Sequence, residues 1–551
     1  MKKIGLILLV LIAASCAKIG MPEGGPKDTT PPKAIRSKPE NNSTNFNGKE
    51  IEIVFDEYIE LKNLRDELMI SPPLSSNPKI SSRLNKLKIS WEEDLRENTT
   101  YIFDLGDAIV DHNEGNALKG YVFSFSTGDN IDTFFYESKV VDAYSLEPII
   151  KKTAMLYNAE DSIDISVDKP NYITRTDSSG NFRFKNIREG SYKVVIIDDK
   201  NQNLLYDPKL ESIGFLDHSI IARNHGKDTI IEEKVIYFNT LKEEVKEIKS
   251  KTITTRHRLD LVFTFPLDSG LFIEFKTPKL SGLDDENLYY SISKGRDSLS
   301  LFALKYSFDS LEIKVGDSGF AEDIRLRYKE KKTEKTDSIS KQEDDKRFKI
   351  KKPKKEHPHY MDLLLEMPYP IFNSNSYEIA SINKEDSLAT PVLIYIYKEN
   401  PLYLRVDQDL KEGSDYEYII EEGILENLLG EKNDTLVFSI KTTSSREFGS
   451  FSINIKDSIE SSIILELEDS KKKIIRRERG SIGEGFEFNY LSKGRYRLRL
   501  IYDENNNGNW DMGDYENGIL PEKVIYYPKS INIIENWDIE ENWELSKASG
   551  E

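Results

Sequence analysis

A run of oxygen-bearing side chains near the C-terminus has the spacing of a calcium-binding loop. Calcium takes about six to eight hard oxygen ligands, and a glycine at position 6 permits the sharp turn of such a loop. Gly508 stands at position 6 when Asp503 is counted as position 1. The alternative is a polar hairpin loop in which Asn and Asp form turns with their own backbone. The candidate ligands at positions 1, 3, 5, 7, 9 and 12 are Asp503, Asn505, Asn507, Asn509, Asp511 and Asp514.

A weaker version of the same loop occurs earlier in the chain. It has Leu204 where the glycine is expected and Leu210 at position 12. Calcium is a less favoured interpretation there, and a structural calcium ion is the one cofactor that the sequence suggests. In either loop, calcium without a substrate cleft would stiffen the loop. The candidate ligands of this earlier loop are Asp199, Asn201, Asn203 and Asp207, at an offset of 304 from their counterparts.

Aromatic residues accompany both loops. Trp510 lies in the later loop and Tyr515 directly after it, and Tyr206 is the counterpart in the earlier loop. Exposed aromatic rings could stack on a sugar, which makes glycan binding one interpretation. The other interpretation is that these rings cover the edge of a β-sandwich.

The residues that would perform catalysis do not form a recognisable motif. The six histidines include no HExxH pair, and no serine nucleophile elbow or phosphate-binding glycine loop is present. His357 and His359 flank Pro358 and could hold a transition metal, although two histidines beside a charged segment are more often exposed. We therefore expect a protein that is not an enzyme. The histidines are His112, His218, His225, His257, His357 and His359.

The composition limits the classes of function. The chain has 551 residues, of which 38% are hydrophobic and 31% charged, so it fits a modular protein rather than a multi-span membrane protein. Lys and Arg number 77 against 96 Asp and Glu, giving a net charge of -19. Nucleic acid is therefore not an expected partner, because such binding depends on cationic side chains that neutralise phosphates.

The N-terminus is typical of an exported lipoprotein. Two lysines precede an apolar run over residues 4–14, which is too short to span a bilayer and suits a cleaved signal peptide over 1–15. Cys16 is the only cysteine, and its position after small residues indicates lipid modification, with 16–32 as a tether. Ala13 departs from the leucine that a lipobox usually has three positions before the cysteine. The alternative is a buried free cysteine in a cytosolic protein.

Internal repeats are the most informative feature of the chain. Residues 95–101 match 410–416, and 123–127 match 438–442, both at an offset of 315. Residues 182–192 match 486–496 at an offset of 304. The sequence thus indicates a duplicated pair of unlike β modules.

Short alternating apolar runs between Asn, Gly, Pro and Asp clusters predict an all-β chain of tandem sandwiches behind the signal peptide. The best helical candidate, around 241–249, is short and is expected to connect domains. The charged segment 329–357 is predicted to be a linker, with a phosphate- or phospholipid-binding patch as the alternative. The predicted modules are module 1 (33–129), module 2 (130–239), module 3 (240–328), module 4 (358–445) and module 5 (446–545).

Several runs resemble known families. Residues 24–32, leading into 53–58, resemble the bacterial Ig-like domain at the start of a family of Bacteroidota-type outer-membrane lipoproteins. Residues 176–184 with 190–192 are similar to the transthyretin-like domains known as carboxypeptidase regulatory-like. By repetition, modules 1 and 4 would be Ig-like and modules 2 and 5 transthyretin-like sandwiches.

The resemblance implies a location and a class of partner. Such proteins are expected at the outer membrane, held by a lipid anchor, as accessory subunits of β-barrel complexes for assembly, secretion or uptake. The cell surface is the expected side of the membrane, and an orientation toward the periplasm is the alternative. A surface lipoprotein that captures a glycan or peptide is the alternative.

Overall fold

Strands form nearly all of the regular structure in the computed structural model, as predicted for an all-β chain. Among the residues that the structure describes, the helical elements are α1 (Leu64–Glu67) and a 3-10 turn at Ser445–Glu447. The chain divides into two compact units, each of which contains more than one of the predicted modules. Unit 1 comprises Met1–Leu241 and Leu500–Ile525, and unit 2 comprises Lys242–Arg499 and Tyr526–Glu551. The residues described are 28–222, 235–240, 246–276, 288–293, 295–303, 308–328, 347–348, 350–371, 376–385, 388–398, 400–457 and 461–545.

Module 1, in unit 1, is a small sandwich. Its strands are β1 (Ala34–Lys38), β2 (Glu50–Phe55), β3 (Ile59–Leu61), β4 (Met69–Ser71), β5 (Lys79–Arg83), β6 (Lys86–Ser90), β7 (Thr100–Asp104), β8 (Ile109–Asp111) and β9 (Val122–Ser126). The sheets have the orders β1-β2-β6-β5, β4-β7-β9 and β3-β8. Apolar residues alternate along β2, so that Ile51, Ile53 and Phe55 face the core. In that core Trp91 stacks on Phe125, with ring centroids 6.0 Å apart.

Module 2, also in unit 1, is one large sheet. Its strands are β10 (Phe134–Asp142), β11 (Thr153–Asn158), β12 (Tyr172–Arg175), β13 (Asn181–Ile187), β14 (Gly190–Ile197), β15 (Ile213–Phe215), β16 (Ile220–Ala222) and β17 (Ile236–Asn239). The order is β12-β11-β14-β15-β17-β10-β13, with β16 paired to β14. Along β14, Val194 and Ile196 face the main core, whereas Val195 and Ile197 are buried on the opposite face. Both faces of this sheet are therefore apolar.

Module 3, in unit 2, contains two sheets. Its strands are β18 (Ile248–Thr255), β19 (Arg258–Phe263), β20 (Phe272–Phe275), β21 (Leu288–Ile292), β22 (Ser298–Ala303), β23 (Ser310–Asp317) and β24 (Phe320–Arg327). The orders are β18-β19-β22-β21 and β20-β23-β24, around a core with Phe263 and Phe265. The helix expected around 241–249 is wrong at its C-terminal end, because β18 already begins at Ile248 and pairs with β19; residues 241–245 lie outside the described residues.

Module 4, in unit 2, is built on a seven-stranded sheet. Its strands are β25 (Arg347–Phe348), β26 (Glu356–His357), β27 (Leu363–Glu366), β28 (Ser376–Asn383), β29 (Leu388–Ile396), β30 (Tyr403–Asp407), β31 (Asp415–Ile420), β32 (Lys432–Asn433) and β33 (Leu436–Thr442). The main order is β26-β33-β31-β28-β29-β30-β27, and β25 pairs with β32.

The described end of the predicted linker 329–357 belongs to module 4. Ile350 is buried in the core of this module, and β26 pairs in parallel with β33. The linker prediction is therefore wrong for this end. The reason is that a short strand needs little apolar sequence of its own when it adds to an existing sheet edge by backbone hydrogen bonds. Residues 329–346 and 349 lie outside the described residues.

Most of module 5 lies in unit 2. Its strands are β34 (Gly449–Lys456), β35 (Ser462–Asp469), β36 (Ile474–Ser481), β37 (Gly485–Leu491), β38 (Gly494–Tyr502), β39 (Val524–Tyr526), β40 (Ile531–Ile533) and β41 (Asp538–Glu544). The sheets have the orders β37-β34-β41 and β36-β35-β38-β39, with β40 paired to β38. The loop between β38 and β39 carries the predicted calcium ligands.

The sequence repeats are also repeats of hydrogen bonding. In module 1 the Tyr101 hydroxyl accepts a hydrogen bond from the Arg96 backbone N–H at 2.9 Å. In module 4, Tyr416 accepts the equivalent bond from Lys411 at 3.0 Å. The two pairs are related by the offset of 315 found in the sequence, so the repeated Tyr of each copy fixes the same connection before its strand.

Modules 2 and 5 share a second such contact. The Tyr192 hydroxyl donates to the Arg188 carbonyl at 2.9 Å, and the Tyr496 hydroxyl donates to the Ser492 carbonyl at 2.8 Å. In both modules the first strand also pairs in parallel with a late strand, β10 with β17 and β34 with β41. The two modules therefore share a topology as well as a sequence pattern.

Candidate functional site: the two Asp/Asn loops

The loop after β38 is organised around the buried carboxylate of Asp503, which is 3% exposed. The backbone N–H groups of Asn507 and Gly508 donate to its two oxygens at 3.0 and 2.9 Å. Gly508 has a φ of 78°, a conformation that glycine adopts without strain. The turn that the sequence predicts at position 6 is therefore present.

Three more predicted ligands converge on this turn. The Asn505 and Asn507 side-chain amides both lie 2.6 Å from Asp511 Oδ2. Asn505 Oδ1 accepts from the Asn507 N–H, and Asn507 Oδ1 accepts from the Asn509 N–H. The structure thus brings Asp503, Asn505, Asn507 and Asp511 together, with Asn509 contributing a backbone donor.

Asp514 does not join this group. Its carboxylate accepts hydrogen bonds from the backbone and side-chain nitrogens of Asn517, at 3.2 and 2.6 Å. Its backbone forms a bridge with Ile519. Position 12 of the predicted loop therefore closes a separate turn.

A carboxylate outside the predicted twelve residues takes the place beside Asp511. Glu522 is 7% exposed, and its two oxygens accept from the backbone N–H groups of Glu504 and Asp511 at 2.9 and 3.0 Å. Burial raises the pKa of Glu522, and the negative charges of Asp511 and Asp503 raise it further. Sequence reasoning missed this residue because it lies beyond the counted loop.

The earlier loop has the same internal geometry. Asp199 accepts from the N–H groups of Asn203 and Leu204, both at 3.0 Å. Asn201 Oδ1 accepts from Asn203 N–H at 2.9 Å. Leu204 occupies the glycine position with a φ of 62°, so this copy adopts the turn in spite of its side chain. Burial raises the pKa of Asp199.

Glu211 is the counterpart of Glu522. It is 1% exposed, and it accepts from the backbone N–H groups of Lys200 and Asp207 at 3.2 and 3.1 Å. These donors match Glu504 and Asp511 at the offset of 304. Burial raises the pKa of Glu211, as it does in the later loop. The glutamate can be recognised in each copy because both copies have a Glu after the second Asp of the loop.

The donor set of the later loop consists of carboxylate and amide oxygens, which suits a hard cation such as calcium. Within the described part of the chain, no group of three or more His, Cys, Asp or Glu side chains is arranged to hold a metal ion. A cation would therefore need the amide oxygens of Asn505 and Asn507 as well as the carboxylates. Calcium at either loop stays a prediction.

The aromatic residues of the loops pack against module 2 within unit 1. The Trp510 ring lies 5.1 Å from that of Tyr144, and the Tyr515 ring lies 5.2 Å from Phe215 and 6.1 Å from Tyr206. This is the packing expected if the rings cover a sheet rather than present a sugar platform.

The histidines of the predicted metal alternative bind backbone carbonyls. His357 Nε2 lies 3.1 Å from the Met361 carbonyl, and His359 Nδ1 lies 2.9 Å from the Thr443 carbonyl. Cys16 and His225 lie outside the described residues. Within the residues that are described, no helix is long and apolar enough to cross a membrane.

A comparison with protein families supports the assignment of module 1 as a bacterial Ig-like domain. Residues 28–127 match the bacterial Ig-like domain family. No curated protein matches the chain.

Solved structures align with longer parts of this chain than the family match does. The major pilin subunit of Bacillus cereus is 9% identical, with 74% of this chain and 99% of that chain covered and a TM-score of 0.14. The Bacillus anthracis TIE protein is 11% identical, with coverages of 99% and 79% and a TM-score of 0.14. The FN1–FN3 domains of chicken CNTN1 are 10% identical, with coverages of 52% and 96% and a TM-score of 0.15. Such low scores carry no argument about function. The chain is thus a multi-module β protein that contains a bacterial Ig-like domain.

Proposed function

We propose that the protein is a non-enzymatic lipoprotein of the outer membrane, anchored through Cys16 and facing the cell surface. Its role is that of a structural accessory subunit of a β-barrel complex in assembly, secretion or uptake. The observation that carries this proposal is the architecture: successive β modules, with buried cores, follow a sequence whose only cysteine stands after a short apolar run.

Closely packed cores suit a structural role. In module 1 the rings of Trp91, Phe103 and Phe125 are at most 4% exposed and stack on one another. Protein interiors packed in this way resist deformation, so such a module keeps its loops and strand edges at fixed positions. Those loops and edges would supply the contacts with a partner, as in other recognition by β domains.

Acylation of Cys16 would hold one end of the array at the membrane. Several acyl chains together anchor a protein far more firmly than one chain does. The net charge of -19 argues against nucleic acid as the partner, because such binding depends on cationic side chains, and the proposed partner is a protein.

The test is purification of the tagged protein from outer membranes in mild detergent, with mass spectrometry of whatever co-purifies. We expect one β-barrel protein in a stoichiometric amount, and its loss in a Cys16→Ala strain. Recovery of the protein alone from the wild-type strain would overturn the accessory-subunit proposal. In that case saturable binding of a glycan or peptide by the soluble mature chain would be the next function to measure.

A further inference from the structure

Unit 1 is discontinuous in sequence. It combines residues up to Leu241 with Leu500–Ile525, the stretch that contains the later Asp/Asn loop. Residues 510–521 within this stretch, here named the clasp, contact module 2 although more than 250 residues of chain lie between them.

The surface that receives the clasp is the second apolar face of the module 2 sheet. Met155, Tyr157, Val195, Ile197 and Phe215 on this face are all buried, although they lie opposite the main core. An antiparallel sheet usually leaves one face in water, so apolar residues on both faces require a cover. Tyr515 packs against this cluster, and burial raises its pKa.

A hydrogen bond fixes the clasp beside the ring contact. The Gly513 N–H donates to Oδ1 of the buried Asn239 at 2.9 Å. A Cβ atom on Gly513 would lie 2.8 Å from Asn239 Nδ2 and 2.8 Å from the Ile519 carbonyl. These distances are too short for a side chain, so this close approach requires glycine.

Two of the contact residues, Gly513 and Tyr515, lie in sequence that only the later loop has. Glu211 follows Asp207 by four residues, whereas Glu522 follows Asp511 by eleven. Gly513 and Tyr515 fall inside the longer interval. The two loops share their Asp/Asn turn and their glutamate, and they differ in the segment that forms the clasp.

The corresponding face of module 5 has different chemistry. At the offset of 304, Val195 corresponds to Arg499, whose guanidinium binds Glu466 and Glu468 at 2.9 and 3.1 Å. A ring such as that of Tyr515 has an apolar receptor on module 2 and would meet buried charges on module 5. The two copies of this module have therefore diverged into one that supplies the clasp and one that receives it.

We propose that residues 510–521 act as an intramolecular clasp that closes the chain between Lys242 and Arg499 into a loop. This role rests on the anchored structural function proposed above. Load applied between an N-terminal anchor and the C-terminal module would pass through the clasp, and modules 3 and 4 would bear it only after the clasp opens.

The test uses the soluble mature chain with Cys16 removed and a protease site inserted between residues 240 and 246. After cleavage of the folded chain, we expect the two fragments to elute together in size-exclusion chromatography. Tyr515→Ala and Gly513→Asp should each weaken their association by about tenfold or more, because a packed aromatic and a close backbone contact are lost. Met512→Ala is the matched control, since Met512 is 43% exposed in the same segment.

Separation of the cleaved wild-type fragments would overturn the proposal, and so would association that neither clasp variant weakens. Circular dichroism of the uncleaved variants checks that they fold. Because this experiment involves neither lipid nor membrane partner, its result is independent of the purification that tests the proposed function.

Discussion

Glu522 and Glu211 complete the Asp/Asn loops that the sequence singles out. Each glutamate is buried beside an aspartate that is itself a candidate ligand, Asp511 or Asp207. A carboxyl whose pKa is raised in the folded state carries its negative charge at a cost to stability once the pH exceeds that pKa. A bound cation would offset this cost, which gives the loops a physical reason to bind calcium.

At the residue scale we predict that calcium binding depends on Glu522 and not on Asp514. Isothermal titration of calcium into the mature chain measures the affinity. Glu522→Gln should lower the affinity of the later loop for calcium about tenfold or more, since a charged ligand is lost. Asp514→Asn is the matched control and should bind as the wild type does. Binding should weaken as the pH falls toward the raised pKa of Glu522, because protons then compete with the cation.

Two results would contradict this prediction. Absence of any calcium-dependent heat would leave the loops as polar turns closed by their own backbone. Equal loss of affinity in Glu522→Gln and Asp514→Asn would show that Asp514, at position 12 of the loop, is a calcium ligand after all.

At the element scale, one strand face is packed in two ways in the two copies. The face of β38 that carries Arg499 holds a charge network, whereas the equivalent face of β14 is apolar. In module 2, Val195 on β14 lies opposite Met155 on β11, and both are buried among apolar residues. In module 5 the equivalent Arg499 is 5% exposed and is paired with Glu466 and Glu468 on β35. Either solution leaves few unpaired groups, but an incomplete charge network would be costly.

We therefore predict that Arg499→Val destabilises the protein by about 3 kcal/mol or more, because it leaves two buried carboxylates without their central partner. Urea unfolding measures this change in the free energy of unfolding. The triple variant Glu466→Met, Glu468→Tyr and Arg499→Val replaces the charge network with side chains of the kind buried on this face of module 2, and it should recover most of the loss. Arg495→Val is the control, since Arg495 is exposed on the same strand.

Equal stability of Arg499→Val and the control would show that the network contributes little. A triple variant that is less stable than the single one would show that the module 2 residues need the clasp to cover them.

The elements that could be predicted from the sequence are those whose signals are local. The alternation in β2, the turn at Gly508 and the tyrosines Tyr101 and Tyr416 all depend on residues a few positions apart. The strand β26 was missed because its place is set by backbone bonds to β33, some 85 residues further on. Glu522 was missed because it lies beyond the twelve residues counted as the loop, and the clasp was missed because the residues that it contacts in module 2 are distant in sequence.

At the scale of the whole molecule, five predicted modules form two compact units. In unit 2, Phe302 of module 3 is buried against Tyr369 and Leu402 of module 4. Arg258 Nη1 donates to the Pro368 carbonyl at 2.9 Å across the same junction. A buried aromatic contact of this kind couples neighbouring modules, so we expect modules 3 and 4 to unfold together.

We predict two transitions in calorimetry of the mature chain, one for each unit. Phe103→Ala removes a ring from the core of module 1. It should lower the melting temperature of unit 1, with a loss of about 3–5 kcal/mol in the free energy of unfolding, and leave the melting temperature of unit 2 unchanged. Phe302→Ala should lower only the transition of unit 2, whereas Tyr290→Ala, which truncates a ring that is 52% exposed, should shift neither. Three or more separable transitions in the wild type would show that the module 3–module 4 junction is too weak to join its neighbours. A common shift of both transitions in Phe103→Ala would show instead that the stabilities of the two units are coupled, in which case the clasp affects unfolding as well as closing the chain.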